Sequence, residues 1–338
     1  MTSHRDIRNI LDDVLDGKQL SKDEALRLME VDTQSPDMYR LLSASWELTR
    51  RNLQGRGEVY AQLGINFWPC PRNCGFCVFS SDAGVAREKV QFTRREIVEK
   101  AREMQKQGAN AIFVMSTADY PFDRYIEDAR AVRKAIGSRP PLVANAGDMN
   151  TEQVEQLVDA GFQGAYHVRR LREGDDTDIP PEKRLATLEA IRNSPLDLSY
   201  CVEPIGPEHS PQELVDEMLR GREYEAVNNA CMRRTPVEGL PLAERGEISE
   251  WKQAKYVAIT RLAAGDELRA MGVHEPSILA LRAGANQIYA EAGPNPRDVE
   301  EETSEGRGRN VQECRRLLWE AGLEPLDGPT DVFRGNRS

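Results

Sequence analysis

The chain has 338 residues, of which 39% are hydrophobic and 30% are charged. Its 56 acidic and 45 basic residues give a formal net charge of −11, which argues against an extended surface for nucleic acid or anionic membranes but still allows a local basic pocket. No apolar run approaches the roughly 20 residues of a membrane span, and the N-terminal segment is too polar for a signal peptide. We therefore expect a cytoplasmic protein whose thiols stay reduced.

The N-terminal fifty residues carry the signals of amphipathic helices. Leu11, Val14 and Leu15 have helical spacing, and Ser21 is a good N-cap for the apolar-periodic run that follows it. We interpret this region as a helical cap that packs on the domain behind it, because such apolar faces usually pack on their own chain. An extension that binds a partner is the alternative.

Three of the six cysteines, Cys70, Cys74 and Cys77, lie within eight residues at the spacing C-x3-C-x2-C. Thiolates this close together can converge on one soft metal centre, and three of them on an iron-sulfur cluster leave one coordination position open. A structural zinc site is disfavoured because no histidine lies near enough in sequence to complete the ligand set. A disulfide is disfavoured because three thiols cannot all pair with one another.

Beyond Glu58, short apolar segments alternate with amphipathic helices, which is the pattern of repeated βα units and a parallel sheet. We predict strands at 59–66, 111–115, 142–145, 164–168, 198–203, 226–231, 269–273 and 286–290, and helices that include 95–107, 151–160 and 310–320. Eight such units predict an α/β fold, a TIM-like (β/α)8 barrel that is complete or slightly open. We divide the chain into a helical extension (1–52), the barrel (53–306) and a closing helix and tail (307–338).

Chemistry in such barrels lies at the C-terminal ends of the strands, so the polar residues there are candidates for the site. They are Ser116, Thr117, Asn145, His167, Arg169, Arg170, Cys201, Glu203 and Cys231. Each has a simpler alternative: loop hydrogen bonds for the serine, threonine and asparagine, an interior histidine, a solvated arginine pair, and small buried thiols. If the arginines face a ligand, they can clamp a carboxylate.

Tyr60 to Ser80, which includes the motif C-x3-C-x-aromatic-C with Phe76 in the aromatic position, resembles the first strand and cluster loop of the radical S-adenosylmethionine (SAM) superfamily. The resemblance implies a 4Fe-4S cluster on Cys70, Cys74 and Cys77, with SAM chelated at the fourth iron. Electron transfer from such a cluster cleaves the sulfonium and releases a 5′-deoxyadenosyl radical. It also implies an electron donor of flavodoxin or ferredoxin type.

The same resemblance suggests which residues hold the cofactor. Ser116 and Thr117 stand where the superfamily often has a Gly-Gly-Glu stretch that binds the methionyl amine. The helix containing Arg184 resembles the one in biotin synthase whose arginine reaches the cofactor carboxylate. Phe76, Asn145 and Arg169 complete the predicted cofactor-binding set, and Cys201, His167 and Glu203 are the predicted catalytic residues.

Further stretches resemble the branch that holds biotin synthase, methylornithine synthase and the hydrogenase maturases, for example Tyr200–Glu203 and Ala283–Asn286. Biotin synthase has a second, sulfur-donating cluster, and two of its cysteines are expected on the second and third strands. Here those strands, 111–115 and 142–145, contain no cysteine. The resemblance therefore favours a rearrangement of methylornithine synthase type on a small anionic or amino-acid-like substrate over sulfur insertion. A non-catalytic iron-sulfur scaffold or electron carrier is the alternative of another class.

Later polar residues are secondary candidates. Arg233 and Arg234 suggest an anionic substrate group, and His274 and Glu275 lie at a strand end as candidate substrate contacts. The charged stretch 298–309 is typical of a solvated loop.

Overall fold

The computed structural model describes residues 4–85 and 89–335. Eight parallel strands close into a barrel, in which each strand pairs with the next along the chain and the last pairs with the first, Ile288 lying beside Val59. The strands are β1 (Arg56–Gly64), β2 (Ala111–Met115), β3 (Leu142–Asn145), β4 (Gly164–Tyr166), β5 (Asp197–Ile205), β6 (Asn228–Arg233), β7 (Ala270–His274) and β8 (Gln287–Ala292). The prediction of a TIM-like barrel is confirmed, and the barrel is complete.

Helices fill every connection between successive strands. The helices are α1 (His4–Leu15), α2 (Lys22–Met29), α3 (Pro36–Leu53), α4 (Arg94–Lys106), α5 (Phe122–Ile136), α6 (Thr151–Asp159), α7 (Pro181–Arg192), α8 (Pro211–Glu223), α9 (Glu250–Ala264), α10 (Ile278–Arg282) and α11 (Val311–Glu320). Thr93, Asn150 and Asn310 form capping boxes at the starts of α4, α6 and α11. The predicted starts of these three helices lie within one residue of the observed ones. Within the described ranges, no helix combines the length and apolar character needed to cross a membrane.

Smaller elements complete the fold. The pair Asn66–Phe67 and Val90–Gln91 is antiparallel, and Glu324–Pro325 adds to the start of β1. Single turns of 3-10 helix lie at Ala243–Arg245 and Thr303–Glu305.

The N-terminal helices lie against the later part of the barrel. The buried hydroxyls of Ser45 and Thr49 on α3 donate to the carbonyls of Ala283 and Gly284 at 2.8 and 2.7 Å. Lys255 of α9 donates to the carbonyls of Met29, the last residue of α2, and of Val31 in the α2–α3 connection, both at 2.6 Å. These contacts agree with a cap on the barrel, while the domain boundaries at 52 and 306 stay a prediction.

The C-terminal tail closes the N-terminal end of the barrel. Phe333 is 2% exposed, and its ring centroid lies 5.6 Å from that of Tyr60 and 5.9 Å from that of Phe113. A Cβ on Gly164 would lie 2.7 Å from the Phe333 ring, so glycine is needed where the tail crosses β4. With this end filled by side chains, the open end is the one where the strands finish.

The segment after β8, residues 293–309, is called the strap because it crosses the opposite end of the barrel. A Cβ on Gly64 would lie 1.9 Å from the Pro294 carbonyl oxygen, so the strap passes directly over the end of β1. The prediction of a solvated loop at 298–309 holds for 299–301 and 304–306, which are exposed, but not for Asp298. Asp298 is buried, and its carboxylate accepts hydrogen bonds from the Thr303 hydroxyl and the Arg307 amide at 2.7 and 3.0 Å. Because the Asp298 carboxylate has hydrogen-bond partners within the strap, this charged segment can pack against the barrel.

We expect Phe333→Ala to lower the free energy of unfolding by about 3–5 kcal/mol, because it leaves a cavity beneath Tyr60 and Phe113. Urea denaturation of the anaerobically purified protein measures this change. Trp319→Ala is the matched control, since Trp319 is 67% exposed and its loss should cost no more than about 0.5 kcal/mol. Equal losses in the two variants would contradict a closing role for the tail.

Candidate active site

The C-terminal ends of the strands surround a cavity of about 1020 Å³, a volume that includes its open mouth. All three cysteines of the triplet line it. The strands contribute Gln62, Gly64, Met115, Asn145, Tyr166, Glu203, Met232 and His274, and the strap contributes residues 294–297. The cavity therefore lies where a barrel of this type is expected to hold its chemistry.

The cysteine loop is fixed by backbone hydrogen bonds to two neighbouring segments. The Gly75 amide donates to the carbonyl of Asp176 in the β4–α7 connection at 2.9 Å, and the Val78 amide donates to the Pro296 carbonyl of the strap, also at 2.9 Å. Phe67 and Phe79 pack edge to face, with ring centroids 5.1 Å apart. These contacts hold the three thiols on the cavity wall.

Burial controls the ionisation of these thiols. It raises the pKa of Cys74 to about 11 and raises the pKa values of Cys70 and Cys77 as well. At neutral pH the three groups are therefore neutral thiols, and binding to a metal must release their protons.

The donor set fits a 4Fe-4S cluster better than a single metal ion. Over residues 4–85 and 89–335, no group of three or more His, Cys, Asp or Glu side chains surrounds a common metal position. In a cluster each thiolate binds a different iron, so its ligands lie farther apart than those around one zinc ion. Three thiols beside an open cavity match a cluster with one free coordination position.

The residues predicted to hold the cofactor amine follow β2, and Asn145 of the predicted cofactor set ends β3. Ser116, Thr117 and Asn145 all line the cavity. Asn66, which the sequence reasoning did not single out, fixes Thr117: its amide nitrogen donates to the Thr117 hydroxyl at 2.6 Å, and its amide oxygen accepts from the Thr117 backbone at 3.0 Å. The Ser116 amide donates to the Asn145 carbonyl at 3.0 Å. This wall is rigid and polar.

Arg184 also lines the cavity, as predicted, but it already has two carboxylate partners. Its Nη1 donates to Asp148 at 2.9 Å and its Nε to Glu173 at 3.2 Å. His167 lies beside this network, with Nε2 3.5 Å from the Asp148 carboxylate, and is not among the residues that line the cavity. Burial and the nearby guanidinium of Arg184 lower the pKa of His167 well below its usual value, so the imidazole is neutral.

The structure places the two adjacent arginines on different sides of the barrel wall. Arg169 pairs with Glu217 of α8 and does not reach the cavity, although the sequence assigned it to the cofactor. Arg170 lines the cavity, with Nε 3.2 Å from the Glu203 carboxylate and its guanidinium carbon 5.6 Å from the Phe76 ring centroid. Neighbouring residues of an extended chain point to opposite sides, so only one of the pair can face the interior.

Of the other two predicted catalytic residues, Glu203 lines the cavity, whereas Cys201 lies deeper on the same face of β5 and does not line it. Glu203 accepts a hydrogen bond from the Tyr166 hydroxyl at 2.6 Å. Cys201 is fully buried two residues earlier on β5, and burial together with Glu203 raises the pKa of its thiol well above the usual value. Cys231 points away from the interior, with Sγ 3.0 Å from the Thr260 hydroxyl of α9.

Sequence reasoning missed the ion network that pins the strap. Arg297 pairs with Glu291 and, at 3.1 Å, with Glu275, while Arg307 binds the same two carboxylates at 2.7 and 2.9 Å. The signal that could have located this wall is Gly-Pro-Asn-Pro at 293–296, a turn directly after the last strand.

Two other expected anion contacts do not line the cavity. Arg234 binds the Glu208 carboxylate through both terminal nitrogens, at 2.5 and 3.0 Å, and Arg233 lies 3.4 Å from Glu247. Both arginines stabilise the β6–α9 connection, and neither is among the residues that line the cavity. Their contacts therefore do not support the prediction that they bind the substrate.

His274, by contrast, lies on the cavity wall as predicted. Its ring stacks on Tyr289 with centroids 3.8 Å apart and planes 7° apart. The residue is 2% exposed, and neither ring nitrogen has a hydrogen-bond partner among the residues that the structure describes. Burial, with Arg297 and Arg307 nearby, lowers the pKa of His274 well below its usual value.

Comparison with known proteins relates the chain to one superfamily. Residues 70–220 match the family model of the radical SAM superfamily. The biotin synthase of Kocuria rhizophila is 26% identical over 283 residues, which cover 81% of this chain but only 60% of that enzyme. The biotin synthase of Halalkalibacterium halodurans is 25% identical over 294 residues, covering 82% of this chain and 86% of the enzyme.

Solved structures share the fold at lower identity. Methylornithine synthase (PylB) aligns with a TM-score of 0.78 and 17% identity, covering 94% of this chain and 97% of that one. The FeFe-hydrogenase maturase HydG from Carboxydothermus hydrogenoformans aligns with a TM-score of 0.80 and 18% identity, covering 98% and 81%. The solved structures show only the shared fold. The family match over residues 70–220 and the three cysteines on the cavity wall support a radical SAM enzyme.

Proposed function

We propose that this enzyme abstracts a hydrogen atom from a small substrate bound inside the barrel and that it inserts no sulfur. Cys70, Cys74 and Cys77 would hold a 4Fe-4S cluster, and the wall formed by Ser116 and Thr117 would hold SAM with Asn145, Phe76 and Arg184. When bound and reduced, this pair supplies a 5′-deoxyadenosyl radical. A small redox protein of flavodoxin or ferredoxin type is the proposed electron donor.

The shape of the cavity supports a radical reaction. The ends of the strands, the cysteine loop and residues 294–297 of the strap surround it. Phe333 closes the barrel below, and the strap crosses it above at Pro294. Walls on these sides exclude water from a reactive intermediate.

The placement of the cysteines is the observation that supports a reaction without sulfur transfer. All six fall within the described ranges, and three of them form the loop site. Of the others, Cys231 faces Thr260, and Cys314 donates to the Tyr289 carbonyl at 3.3 Å, so both thiols are engaged behind the barrel wall. Cys201 alone cannot supply the thiolates of a second cluster. A rearrangement, which needs no sulfur donor, fits this inventory.

Sulfur insertion is the second candidate, because the relatives by sequence are biotin synthases. It would require the sulfur to come from a source other than a second cluster on this chain. The cysteine inventory therefore ranks it below a rearrangement.

His274 is proposed to contact the substrate. A buried imidazole with two unpartnered nitrogens is costly unless a ligand supplies the missing hydrogen bond, and this one lines the cavity. As a neutral ring it can both donate and accept.

We expect the anaerobically reconstituted protein to bind about four irons, and the triple variant Cys70→Ala, Cys74→Ala, Cys77→Ala to bind almost none. The matched control is the double variant Cys201→Ala, Cys231→Ala, which should keep all four because neither thiol lines the cavity. Iron analysis and visible absorption give the count. About eight irons in the wild type, with four lost in the double variant, would establish a second cluster and overturn the single-cluster proposal.

Hydrogen abstraction can be tested before the substrate is known. The dithionite-reduced protein, given SAM and a small-molecule extract from cells grown in heavy water, should form 5′-deoxyadenosine that carries deuterium, as measured by mass spectrometry. Fractionating the extract then identifies the deuterium donor. Formation of 5′-deoxyadenosine without deuterium from every fraction would contradict abstraction from a small molecule.

In the same assay, His274→Phe should reduce deuterium transfer by about tenfold, because it removes both ring nitrogens while keeping a ring to stack on Tyr289. His274→Asn keeps one donor and one acceptor and should lose less. Equal transfer by the wild type and His274→Phe would show that the imidazole makes no contact with the substrate.

A further inference from the structure

We propose that Arg170 and Glu203 form the recognition site for the α-carboxylate and α-ammonium groups of a free amino acid. This inference rests on the proposed function and names the class of substrate that the cavity accepts. Arg170 would bind the carboxylate and Glu203 the ammonium group.

Arg170 is held in place with one edge of its guanidinium open. Its Nε lies 3.2 Å from the Glu203 carboxylate, and one face of the group lies over the Phe76 ring. Neither Nη1 nor Nη2 makes a hydrogen bond to any residue in the described part of the chain, while the side chain is 21% exposed to the cavity. Two parallel N–H donors fixed in one plane match the two oxygens of a carboxylate, and little side-chain entropy is lost on binding.

Of the other three arginines that line the cavity within residues 4–85 and 89–335, Arg72 belongs to the cysteine loop, and the remaining two are less available. Arg184 already gives Nε and Nη1 to Glu173 and Asp148. Arg297 gives Nη2 to Glu291 and Nη1 to the Met232 sulfur. Neither Arg184 nor Arg297 offers a free pair of terminal nitrogens. Arg170 offers such a pair beside a carboxylate, that of Glu203, which can bind the ammonium group.

Glu203 determines the kind of carboxylate that fits. It lines the cavity, and the Tyr166 hydroxyl holds its Oε2 at 2.6 Å. Together with Arg170 it forms a neutral pair, so a simple carboxylate would bring an unbalanced negative charge into a largely buried site. An α-amino acid brings both charges, and its ammonium group can bind the Glu203 carboxylate. The neutral pair therefore favours a zwitterion over a simple acid or a simple amine.

The pair lies on a different side of the cavity from Ser116 and Asn145, and it adjoins Phe76, which is proposed to hold SAM. Arg170 follows β4 and Glu203 lies on β5, whereas Ser116 and Asn145 lie at the ends of β2 and β3. Contact with Phe76 places the Arg170 guanidinium beside the cysteine loop. An amino acid bound there would lie next to the position where the radical forms.

Glycine and acetate are the probes, because they carry the same carboxylate with and without the ammonium group. Each is labelled with 13C at the carboxyl carbon and titrated by NMR into the reconstituted protein. The cluster is kept oxidised and SAM is saturating, so that the cofactor's own amino-acid site is filled and no cleavage occurs. We expect saturable glycine binding that is stronger than acetate binding.

Variants assign this preference to the two side chains. Arg170→Gln should weaken glycine binding by about tenfold or more. Arg170→Lys keeps the charge beside Glu203 but should also weaken glycine binding, because the pair of parallel N–H donors is lost. Glu203→Gln should reverse the selectivity, so that acetate binds at least as tightly as glycine, since Arg170 then carries an unopposed charge. Arg95→Gln, which removes a surface arginine paired with Glu99, is the matched control and should change nothing.

A purely structural role for the pair would not reverse the selectivity, so unchanged ratios in Glu203→Gln would overturn the proposal. Absence of saturable glycine binding, or binding that vanishes when SAM is added, would also overturn it. Cleavage of SAM on reduction is measured on the same preparations. Cleavage without a preference for glycine refutes the amino-acid assignment alone, and a preference without cleavage refutes the proposed radical reaction alone.

Discussion

The interior of this barrel depends on compensating buried charge. An unpaired ion in a site of low dielectric costs several kcal/mol. Three of the four arginines that line the cavity in the described part of the chain lie against carboxylates. Arg170 lies against Glu203, and Arg184 lies between Glu173 and Asp148. Across the cavity, two arginines of the strap share two carboxylates. These pairs fix the walls before a ligand arrives, so the site is preorganised by the same contacts that make its burial tolerable.

The cysteine loop is positioned differently, because neutral thiols supply no charge to pair. Backbone hydrogen bonds from Gly75 and Val78 tie it to the β4–α7 connection and to the strap. Metal binding must then pull protons from thiols whose pKa values burial has raised, which couples assembly of the centre to the surrounding structure. Loop, strap and strand ends therefore form one unit around the cavity.

The sequence specified the fold and the metal ligands more closely than the rest of the site. The apolar runs of β2 and β3 have the predicted bounds because every residue from Ala111 to Met115, and all but the last of the next strand, is buried. Cys70, Cys74 and Cys77 could be found because their local spacing carries the chemistry. Which of two adjacent arginines faces inward depends on the register at the end of β4, and no local pattern encodes it. The strap was missed because paired and solvated charges look alike in a sequence.

Similarity to biotin synthase and the identity of the reaction rest on different residues. The match to the superfamily begins at Cys70, and the barrel and cysteine loop are the parts that supply radical chemistry in general. The reaction that follows is decided by interior side chains at single positions. At 26% identity these can differ freely while the barrel is kept. Here the interior has one cysteine, Cys201, and a neutral Arg170–Glu203 pair with an open guanidinium edge. In the proposed function, this pair orients the substrate, because a radical rearrangement requires its protein to orient the C–H bond that reacts.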